Sequence, residues 1–195
     1  MELLTNNGNS LGLEKLGREV LLRLAASVNA AIHAMTSTWS SADSDFAAAM
    51  GITYTPLVLE EIDKANMHLG HVPALIDAPI EQYPNLSVLA PDLKPLPPQS
   101  SYDQGDEYWD AFYVEMMVKD VDSQERVNAR VQRTMEAVNQ TIMIDTSFGG
   151  KYSHLELLSA GVSDVFIRRE VKSRGPEWFW QGARLDYRVR VPVGY

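Results

Sequence analysis

Cysteine is absent from the 195-residue chain, and its absence excludes several kinds of site together. A disulfide scaffold, a zinc site built on thiolates and a cysteine nucleophile all require this residue. The absence also fits a chain that folds in a reducing cytosol. With 45% hydrophobic and 22% charged residues, the composition is typical of a globular domain. A chain of this length buries enough surface to fold without covalent cross-links.

Long apolar runs are also missing from the sequence. The N-terminus from Met1 to Asn7 lacks the basic start and the apolar stretch of a signal peptide. The uninterrupted apolar runs are far shorter than the ~20 residues that cross a bilayer. We therefore expect no membrane partner and a protein that is used without export.

Evidence for a common catalytic motif is also weak. No His-Glu-x-x-His helix occurs in the sequence, and the pattern Gly-x-Ser-x-Gly occurs at Gly8-Asn9-Ser10-Leu11-Gly12 without the preceding strand that a nucleophile elbow requires. Gly150-Lys151 is the only Gly-Lys pair, but Tyr152 follows it, and Asp145 stands where a phosphate-binding loop has its first glycine. The sequence therefore predicts no catalytic residue and no cofactor.

Histidine and carboxylate pairs offer only weak candidates for a site. His68 and His71 are three residues apart, but Gly70 and Pro73 argue against a helix there, and Asp63 is a distant third ligand. We predict no metal site. The acidic pairs are typical of a solvated surface; they are Glu60-Glu61, Asp106-Glu107 and Asp43 with Asp45. An enzyme with dispersed acidic residues stays open as an alternative, because glycosidase acids are often far apart in sequence.

Charge is divided unevenly along the chain, although the total is −9. Residues 1–122 contain 18 acidic and 6 basic side chains, a net charge of −12. Residues 123–195 contain 8 acidic and 11 basic side chains, a net charge of +3. The two parts can attract each other within one chain or between copies. The alternative is a mixed surface charge that only keeps the protein soluble.

Helical periodicity dominates the first 70 residues, which we predict to be a helical N-terminal part. Apolar residues recur at three- and four-residue steps from Gly12 to Met35. The polar run from Thr36 to Ser41 is expected to end that helix. A helical turn capped by Gly51 and a second helix from Pro56 to Met67 are expected to follow. Short strands are predicted at 71–77 and 86–90.

Prolines mark residues 91–106 as an irregular loop insertion between two strands of one sheet. Pro91, Pro95, Pro97 and Pro98 lack the N–H group that a strand donates. A loop of this length in a compact domain is usually functional or disordered.

Residues 109–193 give the clearest pattern, a strand–helix–strand–strand unit. Apolar and polar residues alternate from Ala111 to Lys119, as in a half-buried strand. Asp122 and Glu125 resemble a capping box that opens a helix to Met143. Gly149-Gly150 predicts a turn, and strands are predicted at 162–171 and 183–193. The fold class follows: one α+β domain over residues 1–195, with a mostly antiparallel β-sheet, a long helix packed on one face and an N-terminal helical segment.

Two features of this unit indicate an interaction surface. Trp178-Phe179-Trp180 is expected at a hairpin tip, and large aromatic residues are enriched at interface hot spots, although they are as often core. Arginines cluster nearby, with Arg188 and Arg190 on one strand face. This face is solvated, meets nucleic acid or pairs with a neighbouring subunit, and the acidic total favours the neighbour. The predicted interface residues are Arg168, Arg169, Arg174, Trp178, Phe179, Trp180, Arg188 and Arg190.

The order of elements resembles a known group of proteins. A helical N-terminus leads to a strand near HVPALIDAP and a proline-rich loop. A strand, FYVEMMVKDVD, a helix, SQERVNARVQRTMEAVNQTI, and a final amphipathic strand, ARLDYRVRVPV, follow. This arrangement, over roughly residues 10–195, resembles the neck proteins of tailed bacteriophages, in particular tail terminators (tail completion or head–tail joining proteins).

The resemblance implies a structural virion subunit without catalytic residues. Such proteins form a ring homo-oligomer, commonly a hexamer, that caps the tail tube and joins it to the head connector. The implied partners are other copies of the chain, the tail tube protein, a head-side connector or stopper protein, and DNA only in passage through the lumen. The implied location is the tail or neck of the virion, assembled in the host cytoplasm. Another head–tail connector, or another tail structural component, is the nearest alternative role, and a binding module that uses the aromatic residues is a further one.

Overall fold

The computed structural model describes residues 13–53, 55–70, 82–95, 108–121, 123–150, 152, 154–168 and 178–191. Two helices and five strands lie in these ranges. The helices are α1 (Leu13–Met50) and α2 (Gln124–Met143). The strands are β1 (Met67–Leu69), β2 (Asn85–Pro95), β3 (Tyr108–Asp120), β4 (His154–Arg168) and β5 (Trp178–Val191). The strand predicted at 71–77 and the loop residues 96–106 lie outside the described residues.

The five strands form one mixed sheet in the order β1-β2-β3-β5-β4. β1 is parallel to β2, and the other three neighbouring pairs are antiparallel. Both helices pack on the same face of this sheet and share one hydrophobic core with it. The predicted fold class, α+β with a mostly antiparallel sheet and a long helix on one face, is confirmed.

The alternation predicted for β3 determines which face of the sheet is buried. Phe112, Val114, Met116 and Val118 are all buried beneath the helices. The Phe112 ring stacks on Tyr187 of β5, with ring centroids 4.9 Å apart. The Tyr187 hydroxyl donates to Asn139 Oδ1 of α2 at 3.0 Å, and burial raises the pKa of this phenol. The central strands are thereby tied to α2.

The predicted start of α2 is wrong by one residue. Ser123, not Asp122, is the N-cap, and its side chain accepts a hydrogen bond from the backbone N–H of Arg126 at 3.2 Å. A serine hydroxyl in extended backbone can satisfy one of the free N–H groups of the first turn in the same way as aspartate. On the inner face of α2, Val127, Val131, Val138 and Ile142 are fully buried and Met135 is partly buried.

We expect Ser123→Ala to lower the free energy of unfolding by about 1 kcal/mol, because the substitution leaves an N–H of the first turn without its acceptor. Urea unfolding followed by tryptophan fluorescence measures this difference. Gln132→Ala, at an exposed position of the same helix, should leave stability nearly unchanged. An equal loss in both variants would contradict the capping role.

The first helix does not end at the polar run, and this prediction is wrong. α1 continues from Leu13 to Met50, over 38 residues. Within the run, Thr36 donates its hydroxyl to the Ile32 carbonyl and Thr38 to the Ala34 carbonyl, both at 3.0 Å, so these side chains are accommodated inside the helix. Contacts with α2 then hold the continuation in place. The predicted cap is confirmed, since Gly51 ends α1 with a φ of +67°.

By length and composition alone, α1 is long and apolar enough to cross a membrane, which the short apolar runs had not indicated. Core helices and signal sequences share this property. In this fold, α1 buries Leu16, Val20, Leu24, Val28 and Ile32 completely. Packing accounts for the apolar residues on this face, whereas Leu22, Phe46 and Met50 of the same helix are exposed.

Residues 55–63 form neither helix nor strand, so the second helix predicted from Pro56 is wrong. The segment lies along α1, where the Asn29 side chain donates to the Ile62 carbonyl at 3.1 Å and accepts from the Ile62 N–H at 2.9 Å. Leu57, Leu59 and Ile62 are buried, while Ala65 is exposed. Only a short 3-10 turn, Lys64–Asn66, forms before β1. Asn29 gives this backbone the hydrogen bonds that a helix would have supplied internally.

β2 extends beyond the predicted strand at 86–90 into the proline-rich region. Its pairing with β3 breaks between Leu89 and Asp92 and resumes to Pro95, which lies opposite Tyr108. Pro91 falls inside this bulge, where a missing N–H costs no ladder hydrogen bond. The loop prediction is therefore wrong for residues 91–95.

The loop after α2 is held by Arg23 of α1. The Arg23 guanidinium donates to the carbonyl oxygens of Ile142 at 2.9 Å and Asp145 at 2.6 Å, and it lies over the Phe148 ring at 4.0 Å. Asp145 in turn accepts from Ser147 and from the Gly149 N–H at 2.7 Å. The predicted glycine turn is confirmed, with φ of +72° at Gly149 and +83° at Gly150.

The Asp145 loop makes the free energy of unfolding depend on pH in the acid range. Hydrogen bonds from the Ser147 side chain and from the Gly149 and Ser147 N–H groups lower the pKa of Asp145 to about 2. Its stabilisation is complete above the ordinary pKa of 3.8 and is lost as the pH falls through about 2. We expect Asp145→Asn to be less stable than the unsubstituted chain at pH 5, with the gap closing towards pH 2. Urea midpoints over this range measure the gap, and a constant gap would contradict the assignment.

Candidate functional site

The face of the sheet opposite the helices carries alternating charges over β3, β5 and β4. We call this surface the open sheet face. The same alternation that buries Phe112 and Tyr187 places polar neighbours on the other side. Its charged residues are Glu115 and Lys119 of β3, Arg184, Asp186 and Arg188 of β5, and Glu156 of β4.

Arg184 is the centre of a network on this face. Its Nη2 lies 2.7 Å from Asp186 Oδ1, its Nη1 lies 3.5 Å from Glu115 Oε1, and its guanidinium lies 3.7 Å from the centroid of the Tyr113 ring. The hydrogen bond to Asp186 raises the pKa of Arg184. Burial works to raise the pKa of Asp186, but hydrogen bonds from Arg184 and Ser159 outweigh it and lower this pKa. Both groups are therefore charged at neutral pH.

Arg188 is also paired within the sheet. Its Nη2 and Nε both lie 2.7 Å from Glu156 Oε2 of the neighbouring strand β4. The side chain lies opposite the apolar face, as predicted. The open sheet face therefore combines opposite charges, and Arg184 and Arg188 each have an acidic partner on it.

The three aromatic residues predicted at a hairpin tip lie instead inside β5, so that placement is wrong. β5 begins at Trp178, five residues before the predicted start, and β4 begins at His154, eight residues early. Backbone pairing with β3 and β4 holds this end of β5: Trp180 is opposite Lys119 and Phe166, and Phe179 is opposite Asp120 and Ile167.

The aromatic side chains divide between the two faces of the sheet. Trp180 is buried on the open-face side, with its ring centroid 6.2 Å from that of Tyr83 and with Met117 beside it. Phe179 packs at the margin of the main core. Trp178 is half-buried, and the Lys119 ammonium lies 5.2 Å from its centroid. Of the three, only Trp178 and Phe179 retain exposed surface for a partner.

The remaining predicted interface residues are placed only in part. The backbone of Arg168 pairs with Trp178, and the backbone of Arg190 pairs with Trp109 and His154. Arg169 and Arg174 lie outside the described residues. Their membership of an interface stays a prediction.

The acidic and basic parts of the chain meet across the helices. Arg133 of α2 lies 2.7 Å from Asp43 of α1 and over the Trp39 ring at 4.8 Å. Arg130 bonds to Asp120 and lies 3.3 Å from Glu60. Attraction within one chain, one of the two possibilities for the charge division, therefore occurs in the folded subunit.

Asp120 is the most buried of these acids and was missed by the sequence analysis. Its carboxylate is 1% exposed and lies against Arg130 and, at 3.7 Å, Arg126. A signal was available, because the alternation of β3 places residue 120 on the same face as Val118. A charged residue in phase with a buried stripe indicates a buried ion pair.

The histidine and carboxylate candidates are dispersed. His68 lies in β1, His71 lies outside the described residues, and His33 lies 2.7 Å from Glu61. Asp63 caps the short 3-10 turn by accepting from the Ala65 N–H at 2.9 Å. Among the residues that the structure describes, no group of three or more histidines and acids is placed to hold a metal.

A concave surface beside α2 borders the sheet. An open groove of about 790 Å³ lies between the first turns of α2 and the strands β4 and β5. Its lining includes Ser123, Glu125 and Asn128 of α2, and Asp164 and Gln181 of the strands. The sequence analysis gave no indication of this groove, because its residues come from three separate elements.

Comparison of the chain with protein-family models gives no matching family, and comparison with curated proteins gives no matching relative.

Proposed function

We propose that this chain is a structural subunit of a tailed-bacteriophage neck, a tail terminator that forms a ring, caps the tail tube and joins it to the head connector. The observation that carries the proposal is the two-layer α+β fold, in which both helices cover one face of the sheet and the open sheet face is polar. Of the elements on which the resemblance rests, the N-terminal helix and the strand–helix–strand–strand unit support the proposal, whereas the strand near HVPALIDAP lies outside the described residues.

The surface chemistry supports an assembly role. The open sheet face extends over three strands and offers paired charges and the exposed part of Trp178 rather than a deep pocket. A ring requires two different surfaces on each copy, because each copy contacts its neighbours head to tail. The overall charge of −9 also suits a lumen through which DNA passes without being bound.

The proposal is tested by negative-stain microscopy and light scattering of the purified chain at several concentrations. We expect closed rings, with six copies as the commonest number, and binding of these rings to the end of a tail tube. A monomer at every concentration would overturn the ring. Rings that bind a head connector but not a tail tube would support the alternative role, that of another head–tail connector.

A further inference from the structure

The groove between α2 and the strands β4 and β5 has the size of a ligand site. Its volume of about 790 Å³ lies within the ~300–1,000 Å³ range of sites that hold a small ligand or a few side chains. It is open rather than enclosed, with Ser123 and Glu125 on the helix side and Ser163 and Asp164 on the strand side. An extended segment of chain can therefore enter it from solvent.

The charge of the groove indicates the charge of the segment that it binds. Glu125 and Asp164 are its two charged lining residues, both are exposed, and its other lining residues are neutral hydroxyls and amides. The groove is therefore acidic, although it belongs to the half of the chain that carries a net charge of +3. Electrostatic complementarity favours a basic segment.

Gln181 adds a hydrogen-bond acceptor at the floor of the groove. The residue is 4% exposed, and its Nε2 donates to the Ser163 carbonyl at 2.9 Å. Its Oε1 has no hydrogen-bond partner among the described residues. Buried acceptors are nearly always paired, and a shift of the Gln181 side chain towards the groove would let a donor on a bound segment pair with this covered oxygen.

The neighbouring edge of the sheet is also unoccupied by any described strand. β4 is the outer strand after β5, and Leu158 and Val162 on it are 50% and 42% exposed. Val162 pairs with Ala183 on the helix side of the sheet, yet the helices leave it partly uncovered. An outer strand with exposed apolar residues is a surface to which another chain can bind.

We propose that the groove and the adjoining part of β4 bind the β4–β5 connection of a second copy of this chain. The connection, residues 169–177, reads Arg-Glu-Val-Lys-Ser-Arg-Gly-Pro-Glu, with three basic and two acidic residues, and all three basic residues lie in its first six positions. Its cations complement Glu125 and Asp164, and their N–H groups supply donors of the kind that Gln181 lacks. The contact joins two different surfaces, so it adds copies head to tail. It does not depend on the proposed role at the tail tube, because any self-assembling subunit can use it.

Charge reversal on each side provides the test. A groove variant combines Glu125→Lys with Asp164→Lys, and a connection variant combines Lys172→Glu with Arg174→Glu. Sedimentation and light scattering measure self-association. We expect each variant alone to associate at least about tenfold more weakly than the unsubstituted chain, because like charges then face each other.

Mixing separates contact between copies from contact within one copy. An equimolar mixture of the two variants should associate again, because every interface then contains one complementary pair of surfaces. A single chain with all four substitutions should associate as well. If the four-fold variant associates but the mixture does not, the connection lies in the groove of its own copy and the proposal is wrong.

A matched control carries the same change of charge elsewhere. Asp45→Lys with Glu136→Lys alters two exposed acids outside the groove lining and should leave association unchanged. Circular dichroism and thermal melting check that each variant is folded. If the groove variant is unfolded, Glu125→Gln with Asp164→Asn replaces it, with the same direction of effect expected.

Equal association in the groove and control variants, or a monomeric unsubstituted chain, would overturn the contact. Intact self-association without tube binding would overturn only the tail role.

Discussion

Replacing Asp120 by asparagine should lower the free energy of unfolding by about 3–5 kcal/mol. The substitution preserves the shape of the side chain but removes the charge that faces Arg130 and Arg126. Since the Asp120 carboxylate is 1% exposed and the Arg130 side chain 14% exposed, the remaining guanidinium charge would stay buried without its main counter-charge. Breaking one side of a buried pair is costly for this reason, even where the intact pair contributes little. Urea unfolding followed by tryptophan fluorescence measures the loss.

The control for this prediction is the second acidic partner of Arg130. Glu60 is 47% exposed, and its Oε1 lies 3.3 Å from Arg130 Nη1. Exposed pairs contribute about 0–1 kcal/mol, so Glu60→Gln should cost less than 1 kcal/mol. A similar loss of unfolding free energy in the two variants would show that the burial of Asp120 does not determine the effect of its substitution.

Replacing Arg23 by methionine should cost about 3 kcal/mol, the second largest loss that we expect. The substitution keeps much of the aliphatic volume but removes hydrogen bonds to the Ile142 and Asp145 carbonyl oxygens and to the Asp145 carboxylate. Hydrogen bonds from charged groups contribute about 1.5–3 kcal/mol each, although bonds made by one group do not add fully. The guanidinium contact with the Phe148 ring is lost too.

The Arg23 prediction also specifies where the structure should loosen. Arg23 joins α1 to the end of α2, so amide exchange in the substituted chain should increase at residues 142–150 more than in the centre of the sheet. Lys15→Met, at an exposed position on the same helix, should change stability by less than about 0.5 kcal/mol. Amide exchange that increases equally in all elements would contradict a local effect of Arg23 on residues 142–150.

Strands and helices with a strong period were predictable from the sequence. The alternation in β3 and the helical stripe of α2 depend on which residues are apolar, and burial then follows directly. The same reasoning failed at Thr36 to Ser41, where local propensity favours a break. The helix instead continues, and beyond this run Asp43 of α1 pairs with Arg133 of α2, 90 residues further along the chain. Contacts at that separation leave no periodic signal in the sequence.

The candidate surfaces were predictable only as faces of strands. Arg188 was correctly placed opposite the apolar side, but its pairing with Glu156 depends on the register between β4 and β5. That register contains two irregularities, between Leu157 and Ser159 and between Val162 and Val165, which no local pattern indicates. The groove beside Gln181 depends on the same register, so it became visible only in three dimensions.

The way in which Arg23 closes the fold has a consequence for synthesis on the ribosome. Its partner Asp145 is 122 residues further along the chain. At roughly 5–20 residues per second, translation of that interval takes about 6–25 s. Until residues 124–143 have been made, the apolar stripe of α1, with Leu16, Val20 and Leu24, has no α2 to pack against. We therefore expect the nascent N-terminal half to engage chaperones, and a chain truncated before residue 124 to aggregate when it is expressed alone.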